Sequence, residues 1–246
     1  MLNDYEAHSS DLERERTADL MQLVPRGYRT VLDAGARDGY YSAQLTEYFE
    51  SVTALDLSKP EIHHERVFCV AGDLTKLSYP DESFDVVLCS EVLEHIPALE
   101  QAVSEIKRVA KHAIVIGVPY KQDIRVGRAT CVKCGKVNPP WGHINVFDKD
   151  RIERLFRPFR VVRQVLTGID SERTNTLATW FSDRGRNPYG IYGPEQRCLH
   201  CGSSLDSKPF RSFTHKVWGA VGVRLMNVQS ALSKPHANWI HTIFER

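Results

Sequence analysis

The chain has 246 residues and carries 32 Lys and Arg against 31 Asp and Glu, which gives a formal net charge of +1 at pH 7. That length fits one α/β domain with insertions, and the composition is ordinary for a globular protein. The sequence has no apolar run of about 18 residues and no basic-then-apolar leader, so we expect neither a membrane span nor a signal peptide. We therefore predict a cytoplasmic protein with no membrane partner.

The first predicted element is an amphipathic helix from about Ser9 to Leu23, capped by Ser9 or Ser10. Strands and helices then alternate along the chain. Apolar and β-branched runs predict strands that begin at Val31 and lie at 51–57, 67–71, 84–90, 113–118, 160–166 and 238–244, with helices at 40–49 and 99–109. This alternation with short connections predicts an α/β fold with a doubly wound, Rossmann-like parallel sheet.

The segment Val31–Ser42, VLDAGARDGYYS, joins the first strand to the first helix of that sheet. Gly35 and Gly39 permit a tight turn and let the backbone approach a ligand closely. About 20 residues after the turn, Asp56 ends the second strand, where a carboxylate can accept hydrogen bonds from ribose hydroxyls. These features together predict a site for a nucleotide-like ligand.

The turn resembles the first motif of the class I S-adenosylmethionine (SAM)-dependent methyltransferases, except that Arg37 stands where the middle glycine usually is. The resemblance covers about residues 28–165 and implies a seven-stranded sheet that ends in an antiparallel pair. A Rossmann dehydrogenase is the main rival, but it would want a glycine at position 37. The resemblance implies the following cofactor-binding residues: Asp33, Gly35, Arg37, Gly39, Asp56, Leu57, Asp73, Leu74 and Ser90.

Several of these residues have individual roles implied by the resemblance. Asp56 would bind the ribose, Asp73 would bind the adenine amino group, and the glycine turn would hold the methionine part. Arg37 would either pair with the methionine carboxylate or lie on the surface, and Asp33 is expected to stabilise the turn.

A second motif, SEVLEHIP, follows the fourth predicted strand. The spacing of Glu91, Glu94 and His95 would place all three on one face of a helical turn. Two carboxylates beside an imidazole repel each other unless a positive charge lies among them, so the motif predicts a divalent cation, Mg²⁺ or Mn²⁺. The alternative is that the acid and the imidazole only pack and form hydrogen bonds near the cofactor.

His143 lies past the fifth strand, at the predicted carboxyl edge of the sheet, and would complete a set of four metal ligands. The Glu-x-x-Glu-His turn and the later pair His143 and Phe147 resemble the metal-dependent small-RNA 2′-O-methyltransferases. In that family four such side chains hold magnesium beside a ribose. A cation would acidify a coordinated hydroxyl, and His143 or Glu91 could accept its proton. Without a metal, His143 is the expected general base.

The third motif consists of two Cys-x-x-Cys-Gly knuckles, Cys131 with Cys134 and Cys198 with Cys201. Four thiolates in two such pairs predict a structural zinc ion, which leaves no open coordination position for catalysis. Redox pairs or disulfides are the alternatives, but neither suits a chain without an export signal. Cys69 and Cys89 lie in strand-like runs and are expected to be inert thiols.

The knuckles lie in two insertions of a single domain spanning 1–246, at about 120–145 and 169–236. We expect zinc to tie these insertions into a lid or substrate subdomain. A helix predicted at Phe213–Leu232 carries an apolar stripe that suits a core or a homodimer face better than a membrane anchor. Four aromatic residues could stack on a sugar or pack around a knuckle: Trp141, Trp180, Tyr189 and Tyr192.

The preferred interpretation is a SAM-dependent O-methyltransferase that methylates a sugar or glycan hydroxyl with the help of a divalent cation. An RNA 2′-hydroxyl is the second choice, because a nucleic-acid partner would call for a clearer basic track with aromatic stacking. A phenolic natural product is also open as acceptor. From another functional class, the chain could be a zinc-stapled interaction module on a decayed methyltransferase fold.

Overall fold

The computed structural model of the protein describes residues 11–187, 192–193 and 196–246. The predicted cap residues Ser9 and Ser10 lie outside these ranges, as does Tyr189. The chain divides into two compact units. The first contains the described residues up to Tyr120, together with Phe147–Gly168 and Ala237–Arg246, and the second contains Lys121–Val146 and the described part of Ile169–His236.

The described elements follow one another in the predicted alternation, with two short 3₁₀ helices at Leu93–His95 and Pro140–Gly142. In chain order the remaining elements are α1 (Asp11–Leu23), β1 (Thr30–Ala34), α2 (Tyr40–Leu45), β2 (Ser51–Asp56), β3 (Val67–Ala71), β4 (Phe84–Ser90), α3 (Leu99–Val109), β5 (Ala110–Pro119), β6 (Ala129–Thr130), β7 (Val137–Asn138), α4 (Lys149–Phe156), β8 (Arg160–Thr167), α5 (Thr176–Arg184), α6 (Phe213–Leu232) and β9 (Trp239–Glu245).

The first unit is built on a seven-stranded sheet in the order β3-β2-β1-β4-β5-β9-β8. Strands β1 to β5 are parallel, and β9 is antiparallel to both of its neighbours, β5 and β8. The carboxyl ends of the parallel strands therefore meet at one edge, where the glycine turn and Asp56 lie. This arrangement confirms the predicted Rossmann-like sheet and its antiparallel final pair.

Helices cover both faces of this sheet, which explains why its central strands are continuously apolar. Helices α3 and α4 pack on one face around residues such as Ile106 and Phe156, which are fully buried. Helices α1 and α2 pack on the other face, where Leu20 and Leu45 are fully buried. Burying one such side chain stabilises the fold by roughly 1.5–3 kcal/mol, so these two layers hold the strand ends in place.

The second unit contains the short β6–β7 hairpin and the helices α5 and α6. The two helices approach closely because small residues face each other: a Cβ at Gly222 would overlap Ser182, and a Cβ at Gly185 would overlap the backbone of Gly219. The ends of the apolar stripe of α6 do not belong to a core, since Phe213 and Leu232 are about four-fifths exposed, whereas Met226 is buried. Gly219 and Gly222 occupy the packed side. The alternative of a homodimer face stays a prediction.

None of the helices in the described ranges is both long and apolar enough to cross a lipid bilayer.

Candidate functional site

The glycine turn begins where β1 ends. The N–H groups of Gly35 and Ala36 both donate to the carbonyl oxygen of Leu55, at 2.7 and 3.0 Å, which fastens the turn to β2. Gly35 and Gly39 have φ values of 91° and 82°, a region that residues with a side chain rarely adopt. A Cβ at Gly39 would also overlap Ile62. Glycine is therefore required at these positions.

Arg37 adopts a glycine-like backbone, with φ at 45°. Its N–H donates to Oδ2 of Asp56 at 2.9 Å, and the N–H of Leu57 donates to Oδ1 of the same carboxylate at 2.6 Å. Each carboxylate oxygen keeps lone-pair capacity for a further donor. The next side chain, Leu57, is 77% exposed. A carboxylate with spare acceptor capacity beside an exposed apolar side chain fits the ribose and the adenine ring of a nucleoside.

Asp73 lies just past the end of β3, the neighbour of β2. The N–H and hydroxyl of Thr75 both donate to its Oδ1, at 2.8 and 2.7 Å, and these bonds hold the pKa of the carboxyl below its usual value. Asp73 is exposed and charged, whereas Leu74 is buried. Asp56 and Asp73 thus present two carboxylates at adjacent strand ends.

Asp33 is buried in β1 and accepts a hydrogen bond from the hydroxyl of Ser42 at 2.5 Å. Burial raises the pKa of this carboxyl to about 7, although the bond from Ser42 opposes the shift. Because Ser42 belongs to α2, the contact ties the strand before the turn to the helix after it.

The turn after β4 differs from the expectation. Glu91 has a left-handed backbone with φ at 61°, and the helix that follows is a three-residue 3₁₀ turn that starts only at Leu93. Glu94 is fully buried, whereas His95 is exposed. The prediction of one shared helical face is therefore wrong for Glu91, because its left-handed backbone puts it outside the turn. Glu94 and His95 lie in the turn, with ligand atoms within 4.8 Å of each other.

Glu91 is held by side chains from α1 and α2. Its Oε1 accepts from Arg16 at 2.6 Å and from the Tyr41 hydroxyl at 3.3 Å. Arg16 also bonds Glu13 at 2.8 Å and lies over the Trp239 ring, 4.0 Å from the ring centre. The guanidinium group of Arg16 therefore places a positive charge beside Glu91.

Glu94 has no such cation bonded to it. Neither carboxylate oxygen has a hydrogen-bond partner among the described residues. Burial raises the pKa of this carboxyl to about 8. A buried carboxylate without partners is costly, so this group is either protonated or bound to a partner outside the described residues.

A polar row crosses the sheet beside Glu91, because Ser90 pairs with Gly117 and Gly117 pairs with His241. A Cβ at Gly117 would lie 2.5 Å from Ser90 Oγ and 3.2 Å from His241 Cδ2, so only glycine lets these side chains come this close. His241 is 1% exposed, and burial together with the charge of Arg16 lowers its pKa to about 3. The imidazole is therefore neutral.

Four residues of this edge escaped the sequence interpretation: Arg16, Tyr41, Trp239 and His241. Arg16 and Tyr41 look like ordinary helix residues, and only the fold brings them to Glu91. His241 carried a usable signal, since it is a titratable residue within the apolar run Trp239–Phe244.

In the second unit, His143 is 8% exposed and its Nδ1 lies 2.6 Å from Oε1 of Gln122. It follows the 3₁₀ helix in which Trp141 is 55% exposed and has φ at 55°. The bond to Gln122 fixes the ring orientation, which is a property shared by metal ligands and catalytic bases.

The four knuckle cysteines lie together in the second unit, with all four Sγ atoms within 4.8 Å of one another. Cys131 and Cys201 are 3.7 Å apart, and Cys134 and Cys198 are 3.6 Å apart. A tetrahedral zinc ion with bonds of about 2.3 Å separates its sulfur ligands by about 3.8 Å. The side chain of Asn138 donates to Cys198 Sγ at 3.5 Å, as expected beside a thiolate. The cluster therefore fits zinc.

Comparisons with known proteins agree with this geometry. Residues 32–115 match a family described as a methyltransferase domain. The chain is 31% identical over 210 residues to the malonyl-[acyl-carrier protein] O-methyltransferase of Salmonella typhimurium, which covers 83% of this chain and 79% of that protein. It is also 31% identical over 100 residues to a sterol 24-C-methyltransferase of Gibberella zeae, a match that spans only 26% of the length of that relative.

Solved structures are similar as well. The N-methyltransferase NodS from Bradyrhizobium japonicum, in complex with S-adenosyl-L-homocysteine, superimposes with a TM-score of 0.55 and 14% identity. The match covers 100% of this chain and 93% of that one. At this identity the similarity concerns the fold.

Proposed function

Because the chain belongs to the class I SAM-dependent methyltransferases, we propose that it methylates a hydroxyl group of a sugar or glycan with the help of a divalent cation. Bound SAM supplies a methyl group already activated by a positive sulfonium, so the chain has to align the acceptor oxygen with it. The Salmonella relative is by name an O-methyltransferase, which supports oxygen as the acceptor atom.

The cofactor side of this proposal rests on the glycine turn and Asp56. Asp56 accepts from the ribose hydroxyls with the lone pairs that the backbone leaves open, and Leu57 covers the adenine ring. Asp73 accepts from the adenine amino group, and Arg37 pairs with the methionine carboxylate. The turn itself leaves room for the methionine part because Gly35 and Gly39 have no side chains.

The acceptor side rests on one observation, the buried Glu94 carboxylate without a described partner. A carboxylate next to an imidazole suits Mg²⁺ or Mn²⁺, so we assign Glu94, His95 and His143 as ligands. Glu91 takes a positioning role, because Arg16 and Tyr41 already hold its carboxylate. A bound cation would lower the pKa of an acceptor hydroxyl. If no cation binds, His143 is the proposed base.

The acceptor class follows from the polarity of this edge. Tyr41, Glu91, Glu94 and His95 offer hydrogen-bonding groups around the end of β4. Such a surface suits a molecule with several hydroxyls better than an apolar phenol.

We also propose that the four cysteines hold one structural zinc ion. Four thiolates complete its coordination, so the ion would shape the second unit and take no part in the reaction.

The proposal is tested by methyl transfer from labelled SAM to mono- and disaccharides, RNA oligomers and phenols. We expect label on a sugar, stable to mild alkali because a methyl ether forms, whereas methyl esters of carboxylates hydrolyse. Turnover should stop with EDTA and return with Mn²⁺ or Mg²⁺. Label on RNA or a phenol alone would overturn the proposed sugar acceptor. Turnover unchanged by EDTA would overturn the proposed role of the cation.

A pair of variants separates the two sides of the site. Glu94→Gln should abolish turnover while the affinity for S-adenosylhomocysteine, measured by calorimetry, stays the same. Glu100→Gln changes an exposed acid on the next helix and should alter neither quantity. Equal loss of turnover and cofactor affinity in Glu94→Gln would remove Glu94 from the acceptor side.

A further inference from the structure

The helices α5 and α6 pack through small residues, whereas an ordinary helical hairpin packs through large apolar side chains. Small residues fill the contact between the two helices, where Gly222 lies against Ser182 and Gly219 lies against Gly185. Several bulky apolar side chains of both helices stay exposed beside this contact, although Met226 is buried. In water these exposed side chains contribute little to the stability of the hairpin.

These side chains form what we call the outer face. On α6 they are Phe213, Val217, Trp218, Val228 and Leu232, whose positions fall within one half of the helix circumference. The residues of the outer face, with their exposed fractions, are Leu177 (57%), Trp180 (43%), Phe213 (80%), Val217 (46%), Trp218 (37%), Val228 (59%) and Leu232 (79%). Single exposed apolar residues are common on proteins, but several of them on two neighbouring helices mark an interaction surface.

Aromatic contacts join the two helices into one surface. The Trp180 and Trp218 rings meet edge to face with their centres 5.6 Å apart, and Phe181 lies 5.2 Å from Trp218. The guanidinium group of Arg184 lies over the Trp180 ring at 4.1 Å. The outer face therefore combines tryptophan rings with a cation in direct contact.

The charged side chains around the outer face are mainly positive. Residues 210–234 contain no Asp or Glu, and their cations are Arg211, Lys216, Arg224 and Lys234. The one acid of α5, Asp183, is paired with Arg128 at 2.9 Å. The surface thus presents apolar and positively charged groups together.

We propose that the outer face docks on the surface of a lipid bilayer that contains anionic headgroups. Tryptophan and phenylalanine enter the boundary between headgroups and acyl chains, and lysine and arginine bind the negative headgroups. In a symmetric pairing, residues 210–234 of a second copy would offer no Asp or Glu to Lys216 and Arg224. The charge pattern therefore favours a lipid surface over a second copy.

The proposal is tested by flotation of the full chain with vesicles of phosphatidylcholine alone and of phosphatidylcholine with phosphatidylglycerol. We expect binding to the anionic vesicles, weakened by salt. The double variant Val217→Ser with Val228→Ser should bind about tenfold more weakly or worse, because two exposed apolar groups are lost. Val162→Ser removes a valine of similar exposure (56%) from β8 and should bind like the unchanged chain.

Tryptophan fluorescence gives an independent measurement. Anionic vesicles should shift the emission to the blue, and Trp218→Phe should reduce this shift, whereas Trp141→Phe should leave it intact. No vesicle binding, or undiminished binding by the double valine variant, would overturn the proposal. A dimer that the same variants dissociate, without any vesicle binding, would show that a second copy covers the outer face.

Discussion

At the scale of single residues, the two glutamates that follow β4 differ in the groups around them. Arg16 neutralises Glu91 through a bond of 2.6 Å, and burial favours the protonated form of Glu94. The Arg16 side chain is 11% exposed, so its attraction to Glu91 is weakly screened by water. This contact makes α1 part of the site.

We predict that Arg16 and Glu91 are energetically coupled. A double-mutant cycle of Arg16→Gln and Glu91→Gln, measured by urea unfolding, should give a coupling free energy of about 1–2 kcal/mol, because the Arg16 side chain is 11% exposed although that of Glu91 is 37% exposed. Arg29 and Glu50 form the control, an ion pair of 2.9 Å whose side chains are 77% and 65% exposed. Their coupling should be below about 1 kcal/mol. Equal coupling in both pairs would contradict the prediction.

The raised pKa of Asp33 predicts that its contribution to the free energy of unfolding falls as pH rises, whereas that of most carboxylates increases. Its folded-state pKa of about 7 exceeds the ordinary 3.8, so the protonated form stabilises the fold at low pH, and this contribution is lost as pH rises through 7. Asp33→Asn keeps an acceptor for Ser42. Between pH 4 and 8 its free energy of unfolding should rise relative to the unchanged chain, by up to about 4 kcal/mol.

Asp85 supplies the control for this experiment. Burial opposes the shift, but hydrogen bonds from the N–H groups of Arg29 and Thr30 lower the pKa of Asp85, so its charged form stabilises the fold and that contribution is lost as pH falls below 4. Asp85→Asn should therefore be most destabilising near neutral pH. The same pH trend in both variants would show that Asp33 is not the titrating group.

At the scale of elements, the sheet was predictable because its strands carry their own signal. The apolar run at β4 and the antiparallel pair β8 and β9 lie within one residue of the expected bounds. The turn after β4 was not predictable, because the left-handed backbone of Glu91 depends on packing against its neighbours. The α6 helix was predicted in place, but its packed side was not, since glycine spacing predicts close contact only when the partner helix is known.

The glycine contact between α5 and α6 predicts that Gly→Ala changes stability in the opposite direction from an open helix. In an open helix Gly→Ala stabilises by about 1 kcal/mol. At Gly222, however, the new methyl group would overlap Ser182, so Gly222→Ala should lower the melting temperature instead. Ala220→Gly, on the exposed side, should cost about 1 kcal/mol by propensity alone. A stabilised Gly222→Ala variant would show that the two helices do not pack this tightly.

At the scale of the whole molecule, the candidate site draws on residues that are far apart in sequence. The glycine turn and the knuckles were found because each is a local pattern. His241 and Arg16 reach the edge of the sheet only through the strand order and the packing of α1, which no local spacing encodes. The sequence therefore predicts the cofactor end of the site better than the acceptor end.

The cysteine cluster predicts one zinc ion per chain by elemental analysis. Cys134→Ser should lower the zinc content and make the second unit more sensitive to proteolysis, because metal coordination contributes to its folding free energy. Cys69→Ser changes a thiol on β3, outside the cluster, and should keep the zinc. An unchanged zinc content in Cys134→Ser would contradict this role. A second unit that resists proteolysis without metal would contradict it as well.

The position of β9 has a consequence for how the nascent chain avoids aggregation. Although β9 follows β8 by the whole of 169–236, it lies between β5 and β8 in the sheet. Until β9 arrives, the apolar β5 is an edge strand with open backbone groups, which another copy could pair with. Slow maturation of the intervening segment would therefore lengthen the time during which the chain is exposed to chaperones and proteases.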